Sequence, residues 1–139
     1  MEKVKLGIVG LGRLGRQHAV NINYNIINAE LAAVCSAIPE EVESVMKEMD
    51  PGYGTTDYME LFNDKNLDGI VIASNSAYHC KMICDAANAG VKNIYCEKPL
   101  GMTLEEIDLI KETVEKNNVQ IFQIGYNRRF DSSLMTMKK

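Results

Sequence analysis

Glycines near the N-terminus are spaced as a phosphate-binding turn requires. A G-x-G-x-x-G pattern is formed by Gly10, Leu11, Gly12, Arg13, Leu14 and Gly15. It follows an apolar run and opens a stretch with helical periodicity, which is the context that gives the pattern physical meaning. Gly10 would permit a tight turn, Gly12 would let a pyrophosphate approach the backbone, and Gly15 would let helix and strand pack closely. A glycine-rich turn without a ligand is the alternative, since the pattern alone is a weak signal.

The acidic residue expected about 20 positions after the glycines, at the end of the second strand, is missing. Such a carboxylate bonds the ribose of NAD and repels the 2′-phosphate of NADP. Here Cys35 and Ser36 hold that place, and the nearest carboxylates are Glu40 and Glu41. Ser36 could hydrogen-bond NAD or NADP, or it could be an ordinary turn serine. The lack of a nearby positive charge tilts the prediction towards NAD.

Polar residues also follow the fourth predicted strand, Gly69–Ala73. Ser74 and Asn75 stand where a parallel strand ends, so they could line a cofactor cleft. Ser76 is the predicted N-cap of the next helix. His79 falls one turn into that helix on its apolar face, where a core histidine and a ligand contact are both open interpretations.

A lysine follows the fifth predicted strand, in the tripeptide Glu97-Lys98-Pro99. A residue before proline is held out of the helical region, and the bond to proline can be cis. An ammonium group fixed at the carboxyl end of a strand could bind a substrate hydroxyl and manage its proton, as general acid–base catalysis requires. A surface lysine at a turn is the alternative.

Short apolar runs alternate with longer amphipathic stretches, and these elements must position the polar residues. The predicted strands are Val4–Val9, Leu31–Cys35, Tyr53–Thr55, Gly69–Ala73, Asn93–Glu97 and Val119–Ile124. The predicted helices run from about Arg13 to Asn23, Pro39 to Met49, Tyr58 to Asn63, Ser76 to Gly90 and Thr103 to about Asn117. This alternation predicts a doubly wound parallel α/β sheet of the Rossmann type, in the order 3-2-1-4-5-6. Ligands bind such sheets at the carboxyl ends of the strands.

Composition and charge argue against several classes of function. The 139 residues suit one domain, and 46% hydrophobic with 24% charged residues is an ordinary globular composition. A net charge of -4 argues against nucleic acid or an anionic membrane as a partner. Without a membrane span, a signal peptide or a CxxC pair, we expect a cytoplasmic protein with reduced cysteines. Cys80 and Cys84 share a helix face, but we expect buried thiols there and no metal site.

Three segments together resemble the Gfo/Idh/MocA oxidoreductase family. They are Gly10–Gly15, the stretch Glu97-Lys98-Pro99-Leu100-Gly101, and the stretch Gly125-Tyr126-Asn127-Arg128-Arg129-Phe130-Asp131. The resemblance covers essentially the whole chain, and its most specific element is the Glu-Lys-Pro tripeptide. The last stretch is most similar to inositol 2-dehydrogenases within that family.

The resemblance implies roles for individual residues. Lys98 matches the catalytic lysine beside the reacting hydroxyl, Glu97 a residue near the nicotinamide ribose, and Asn127 a position near nicotinamide and substrate. Positions in the cofactor cleft are matched by Ser74, Asn75 and His79. The implied reaction is hydride transfer between NAD(P) and a sugar or a cyclic polyol such as inositol, with Lys98 assisting proton removal.

Members of this family carry a second α/β domain that binds substrate and mediates oligomerisation. We therefore expect a dinucleotide-binding domain over residues 1–126 and the start of a crossover over residues 127–139, with the second domain missing. Such a chain would bind cofactor but turn over poorly or not at all, and a homo-oligomer is an open expectation. A non-catalytic nucleotide-binding sensor or scaffold is the alternative function, because fold does not fix function.

Overall fold

The computed structural model describes residues 2–125 as a parallel β-sheet between layers of helices. The strands are β1 (Val4–Val9), β2 (Ala29–Cys35), β3 (Tyr53–Thr55), β4 (Gly69–Ile72), β5 (Asn93–Glu97) and β6 (Ile121–Gly125). The helices are α1 (Arg13–Val20), α2 (Pro39–Met49), α3 (Tyr58–Phe62), α4 (His79–Asn88) and α5 (Leu104–Lys116). A π-helical turn, Asn21–Asn25, extends α1, and a 3-10 turn, Ser76–Tyr78, precedes α4. The strand order β3-β2-β1-β4-β5-β6 confirms the predicted Rossmann arrangement.

Side chains that alternate along the strands feed two hydrophobic cores, one on each face of the sheet. On one face Ile8 packs in a cluster with the buried sides of α1 and α2. On the other face its neighbour Val9 joins a cluster with α3, α4 and α5. Burial on both faces explains why β4 and the second half of β1 read as continuous apolar runs in the sequence.

The order of the strands reverses at β1, which pairs with β2 on one side and β4 on the other. The loops that follow β1 and β4 therefore meet at the carboxyl edge of the sheet. Ala73 donates its amide to Val9 at 2.8 Å, and Gly10 donates to Cys35 of β2 at the same distance. These bonds fix the floor of the crevice in which doubly wound sheets bind ligands.

Several predicted boundaries are wrong by one to two residues, because backbone hydrogen bonds, and not residue types, decide where an element begins and ends. The first helix continues beyond Asn23 to Asn25 through its π-helical turn. The second strand begins at Ala29 and not at Leu31, and the fourth ends at Ile72 and not at Ala73. The last strand starts at Ile121 and not at Val119, since the Val119 amide still bonds back to Val114 of α5.

Two predicted helix caps differ in detail. Asn75, and not Ser76, accepts the amide of Ala77, at 3.0 Å, because the chain enters a 3-10 turn before α4 begins. At α5, Thr103 accepts the Glu106 amide as predicted, at 3.1 Å. The Glu106 carboxylate, however, accepts the amide of Met102 at 2.7 Å and so reaches one residue further back than a capping box requires.

Candidate cofactor cleft and active site

The three glycines after β1 occupy three different environments. Gly10 has a φ of +98°, and a Cβ atom there would lie 2.6 Å from the backbone carbon of Ala73. A Cβ atom on Gly15 would overlap the carbonyl oxygen of Gly10. A Cβ atom on Gly12 would meet nothing within 4 Å. The turn thus requires a glycine at Gly10, and the close packing of α1 requires one at Gly15. A side chain in place of Gly12 would enter open space.

The open space at Gly12 is the junction of three cavities along the carboxyl edge. The cavity towards β2 and α3 has a volume of about 510 Å³, that towards Ser74 and Asn75 about 640 Å³, and that towards α2 about 370 Å³. Predicted cofactor residues that line the 510 Å³ cavity are Gly10, Leu11, Gly12, Ser36, Ser74 and Asn75. Arg13 and Leu14 line the 640 Å³ cavity. Gly15, His79, Glu97 and Lys98 line none of these three cavities.

The N-terminus of α1 is suited to a phosphate anion. Its first turn carries no acidic side chain, and Gly12 caps it in an extended conformation that leaves the following amides free of a capping side chain. Unpaired amides and the helix dipole at such an end favour negative charge. The open face of Gly12 and the amides beyond it therefore fit the pyrophosphate of a dinucleotide.

Ser36 closes the turn after β2 and lines the 510 Å³ cavity. It is 5% exposed, its hydroxyl accepts the Ile38 amide at 3.1 Å, and it donates to a Glu41 carboxylate oxygen at 2.6 Å. Ser36 is thus a turn serine and a cavity residue together. Sequence spacing did not assign Glu41, which the first turn of α2 brings back to the end of β2.

His79 joins the loops that follow β4 and β5. The ring is 1% exposed, with Nδ1 2.7 Å from the carbonyl oxygen of Pro99 and Nε2 2.9 Å from that of Ser74. Each ring nitrogen thus lies within hydrogen-bonding distance of a backbone carbonyl, as in a core histidine. The ring ties the Lys98-Pro99 peptide, which is cis, to a loop that lines the cavities.

The side chain of Glu97 is buried, whereas that of its neighbour Lys98 is exposed. Lys98 is exposed, directly after β5. Glu97 is 3% exposed, with one carboxylate oxygen 2.5 Å from His18 Nε2 and accepting the Tyr95 hydroxyl at 3.1 Å. Burial and the charge of Glu97 raise the pKa of the Tyr95 phenol to about 12, so Tyr95 stays a donor. The Glu97 carboxylate is thus held towards α1 while the next side chain is exposed.

The cysteines are buried or half-buried and unpaired. Burial is the main cause that raises the pKa of the Cys35 and Cys96 thiols to about 12 and that of Cys80 to about 11. Cys80 and Cys84 contact separate partners on α5. Within residues 2–125 no group of three or more His, Cys, Asp or Glu side chains is arranged to hold a metal ion.

Comparison with known proteins identifies the family to which this cleft belongs. Residues 4–126 match the Gfo/Idh/MocA model, described as an oxidoreductase family with an NAD-binding Rossmann fold. The chain belongs to the Gfo/Idh/MocA oxidoreductase family. The resemblance inferred from the glycine and Glu-Lys-Pro motifs is thereby confirmed.

Relatives within the Gfo/Idh/MocA family include several inositol dehydrogenases. The scyllo-inositol 2-dehydrogenase (NAD(+)) of Bacillus subtilis is 34% identical over 137 residues, which are 99% of this chain and 40% of that protein. The crystal structure of scyllo-inositol dehydrogenase from Lactobacillus casei with bound NAD(H) and scyllo-inositol is 36% identical, with a TM-score of 0.92, over 99% of this chain and 40% of that one. An uncharacterised oxidoreductase of Bacillus subtilis is 35% identical over 99% of this chain and 39% of its own length. The chain thus spans about 40% of the length of these relatives.

Membership in the Gfo/Idh/MocA family identifies residues 4–126 as an NAD-binding Rossmann domain. Asn127, predicted to lie near the nicotinamide, falls outside the described residues 2–125. No helix in that described part of the chain has the length and apolar character to cross a membrane.

Sequence reasoning missed several residues that line the 510 Å³ cavity. Besides Glu41 they include Ile38, Thr56, Tyr58, Tyr78 and Met82. Of these, Ile38 carried a sequence signal, as an apolar residue in a predicted turn, whereas Tyr78 lay inside a predicted helix. In the structure Ile38 and Tyr78 are both more than half exposed beside the cavity. Such residues at a cavity suit the flat apolar faces of a nucleotide base.

Proposed function

We propose that this chain is the cofactor-binding domain of an NAD-dependent dehydrogenase that oxidises a secondary alcohol of a sugar or of a cyclic polyol such as inositol. Lys98 is the catalytic residue. The observation that carries this function is the His79 ring, which bridges Ser74 in the cofactor cavity to Pro99, next to Lys98. The inositol dehydrogenases among its relatives indicate the substrate class.

In this reaction different residues of the chain bind the cofactor, bind the substrate and accept the proton. Gly12 and the first amides of α1 bind the pyrophosphate, while Ser74 and Asn75 line the neighbouring part of the cleft. The bound cofactor supplies the hydride acceptor. Lys98 would bind the substrate hydroxyl and, as the neutral amine, accept the proton that this hydroxyl loses, as a general base must. His79 and Pro99 act by positioning Lys98.

The cofactor domain covers residues 1–126 in this proposal, and residues 127–139 lead to a second domain that completes the substrate site. The family match up to residue 126 and the coverage of about 40% of the relatives support this division. In this proposal Asn127 takes part in binding the nicotinamide and the substrate. A cytoplasmic location suits the free thiols, and homo-oligomers would form through the second domain.

The test joins residues 1–126 to the second domain of the Lactobacillus casei scyllo-inositol dehydrogenase and measures NAD reduction with inositols and hexoses. We expect turnover with at least one polyol, and Lys98→Ala should lower kcat by about 100-fold or more, the usual size of a lost general base. NADH affinity should stay within about twofold.

Lys92→Ala is the matched control, because Lys92 is also exposed but lies before β5 at the opposite edge of the sheet. This variant should turn over at the parent rate. Equal rates for the parent and Lys98→Ala, or a loss of NADH binding in Lys98→Ala, would contradict the catalytic role of Lys98.

A further inference from the structure

No acidic residue stands at the end of β2 in the sequence, but in the fold a carboxylate from α2 lies beside that end. Glu41, from the first turn of α2, places an Oε1 atom 2.6 Å from Ser36 Oγ. Ser36 is buried and is itself fixed by the Ile38 amide at 3.1 Å. The turn that replaces the expected acidic residue therefore holds another carboxylate in a defined position.

Glu41 lies between two of the cavities that meet at the glycine turn. It lines both the 510 Å³ and the 370 Å³ cavity, and Leu11 and Gly12 line the same two. Since Gly12 marks the pyrophosphate, the ribose attached to it must lie beside the end of β2 in this fold. Glu41 is thus placed beside the ribose of the adenosine half.

Contrary to the sequence expectation of no nearby positive charge, Arg13 and Arg16 line the 370 Å³ cavity, but neither forms an ion pair with Glu41. The Arg16 guanidinium forms an ion pair with Glu48 and donates a hydrogen bond to the Ser44 hydroxyl, and both partners lie on α2. Arg13 lies directly after Gly12, at the helix end that receives the pyrophosphate. Glu40 adds a second negative charge to the same wall.

We propose that Glu41 selects NAD over NADP by accepting hydrogen bonds from the adenosine ribose and by repelling a 2′-phosphate. This role rests on the function proposed above and specifies its cofactor. A carboxylate and a phosphate within a few ångströms repel strongly at a partly buried site. Ser36 acts as a positioning residue that holds Glu41 at the cavity.

The experiment titrates NADH and NADPH separately into the parent chain and into Glu41→Gln, and compares the ratios of the two dissociation constants. We expect the parent to prefer NADH, and Glu41→Gln to reduce that preference about tenfold or more, chiefly by tighter NADPH binding. Glu43→Gln is the matched control, because it removes the same charge from α2 outside both cavities. Its ratio should equal that of the parent.

The outcomes separate this inference from the proposed function. An unchanged NADH to NADPH ratio in Glu41→Gln, with NADH still bound, overturns the role of Glu41 and leaves the dehydrogenase function standing. A change in Glu40→Gln without one in Glu41→Gln assigns selection to Glu40 and equally overturns it. If the folded parent binds neither dinucleotide, the proposed function fails as well.

Discussion

Gly12 and Gly15 are both glycines of one motif, yet a side chain would affect them in opposite ways. At Gly12 an added methyl group enters the open junction of the cavities, and at Gly15 it enters the backbone of Gly10. The sequence pattern predicted these separate roles, because the turn, the phosphate approach and the helix packing each need a glycine at a fixed offset.

Gly12→Ala should therefore fold and bind NADH about tenfold more weakly, since its methyl group occupies the phosphate approach. Its free energy of unfolding should fall by at most about 1 kcal/mol, because the extended backbone at Gly12 accepts any residue. Gly15→Ala should lose about 3 kcal/mol from overpacking. Urea unfolding and calorimetry measure both quantities, and a Gly12→Ala chain with undiminished NADH affinity would refute this assignment.

Glu41 shows where residue spacing alone falls short. The expected acidic position is counted along the chain, but the tight turn at Ser36 and the start of α2 return a later residue to the same point in space. The sequence named Glu40 and Glu41 as the nearest carboxylates. Choosing between them requires the hydrogen bond from the Ser36 hydroxyl, which only the folded turn provides.

The strands were predictable because most of them contain apolar runs buried on both faces of the sheet, and the helices because their apolar residues recur at helical spacing. The ends of these helices and strands were harder to predict, since backbone hydrogen bonds decide where an element ends. The start of α4 is the clearest example: Ser76 fits the residue preference for an N-cap, but Asn75 caps a 3-10 turn that precedes α4, and α4 itself begins at His79 without a capping side chain. The chain order of the elements gave the sheet topology, because few right-handed arrangements satisfy it.

Asn75→Ala should consequently lower the free energy of unfolding by about 1 kcal/mol, as the loss of a cap does. Ser76→Ala, the neighbouring control, should change it by less than about 0.5 kcal/mol. Thermal or urea unfolding of the two variants decides between the caps. The reverse order of effects would mean that α4 is capped as the sequence first suggested.

At the scale of the whole molecule, ionisable groups are buried on both faces of the sheet. The raised pKa values of Cys35, Cys96 and Cys80 all have burial as their largest cause, and the same holds for Tyr95 on the other face. An unfolded thiol releases its proton near pH 9, the value from which these pKa values are raised. The folded chain keeps those protons up to pH 11 or 12.

Stability should therefore be constant with respect to these groups below about pH 9 and should fall as the pH rises from there towards 12. The sign follows because the folded state binds more protons than the unfolded state in that range. Urea unfolding at pH 8.0 and 10.5 measures the loss, and Cys35→Ala should show a shallower decline. An equal free energy of unfolding at both pH values would contradict the burial of these thiols.

The roles of Gly12, Glu41 and Lys98 all require NAD to bind along the carboxyl edge of the sheet. Amide chemical shifts of the isotope-labelled chain, recorded with increasing NADH, test this mode of binding most directly. We expect shifts at Gly10–Gly15, Ser36, Ser74 and Asn75, and none at Lys65 and Val91, which line a cavity at the opposite edge. Shifts centred on Lys65 and Val91, or none at the glycine turn under saturating NADH, would contradict this mode of binding.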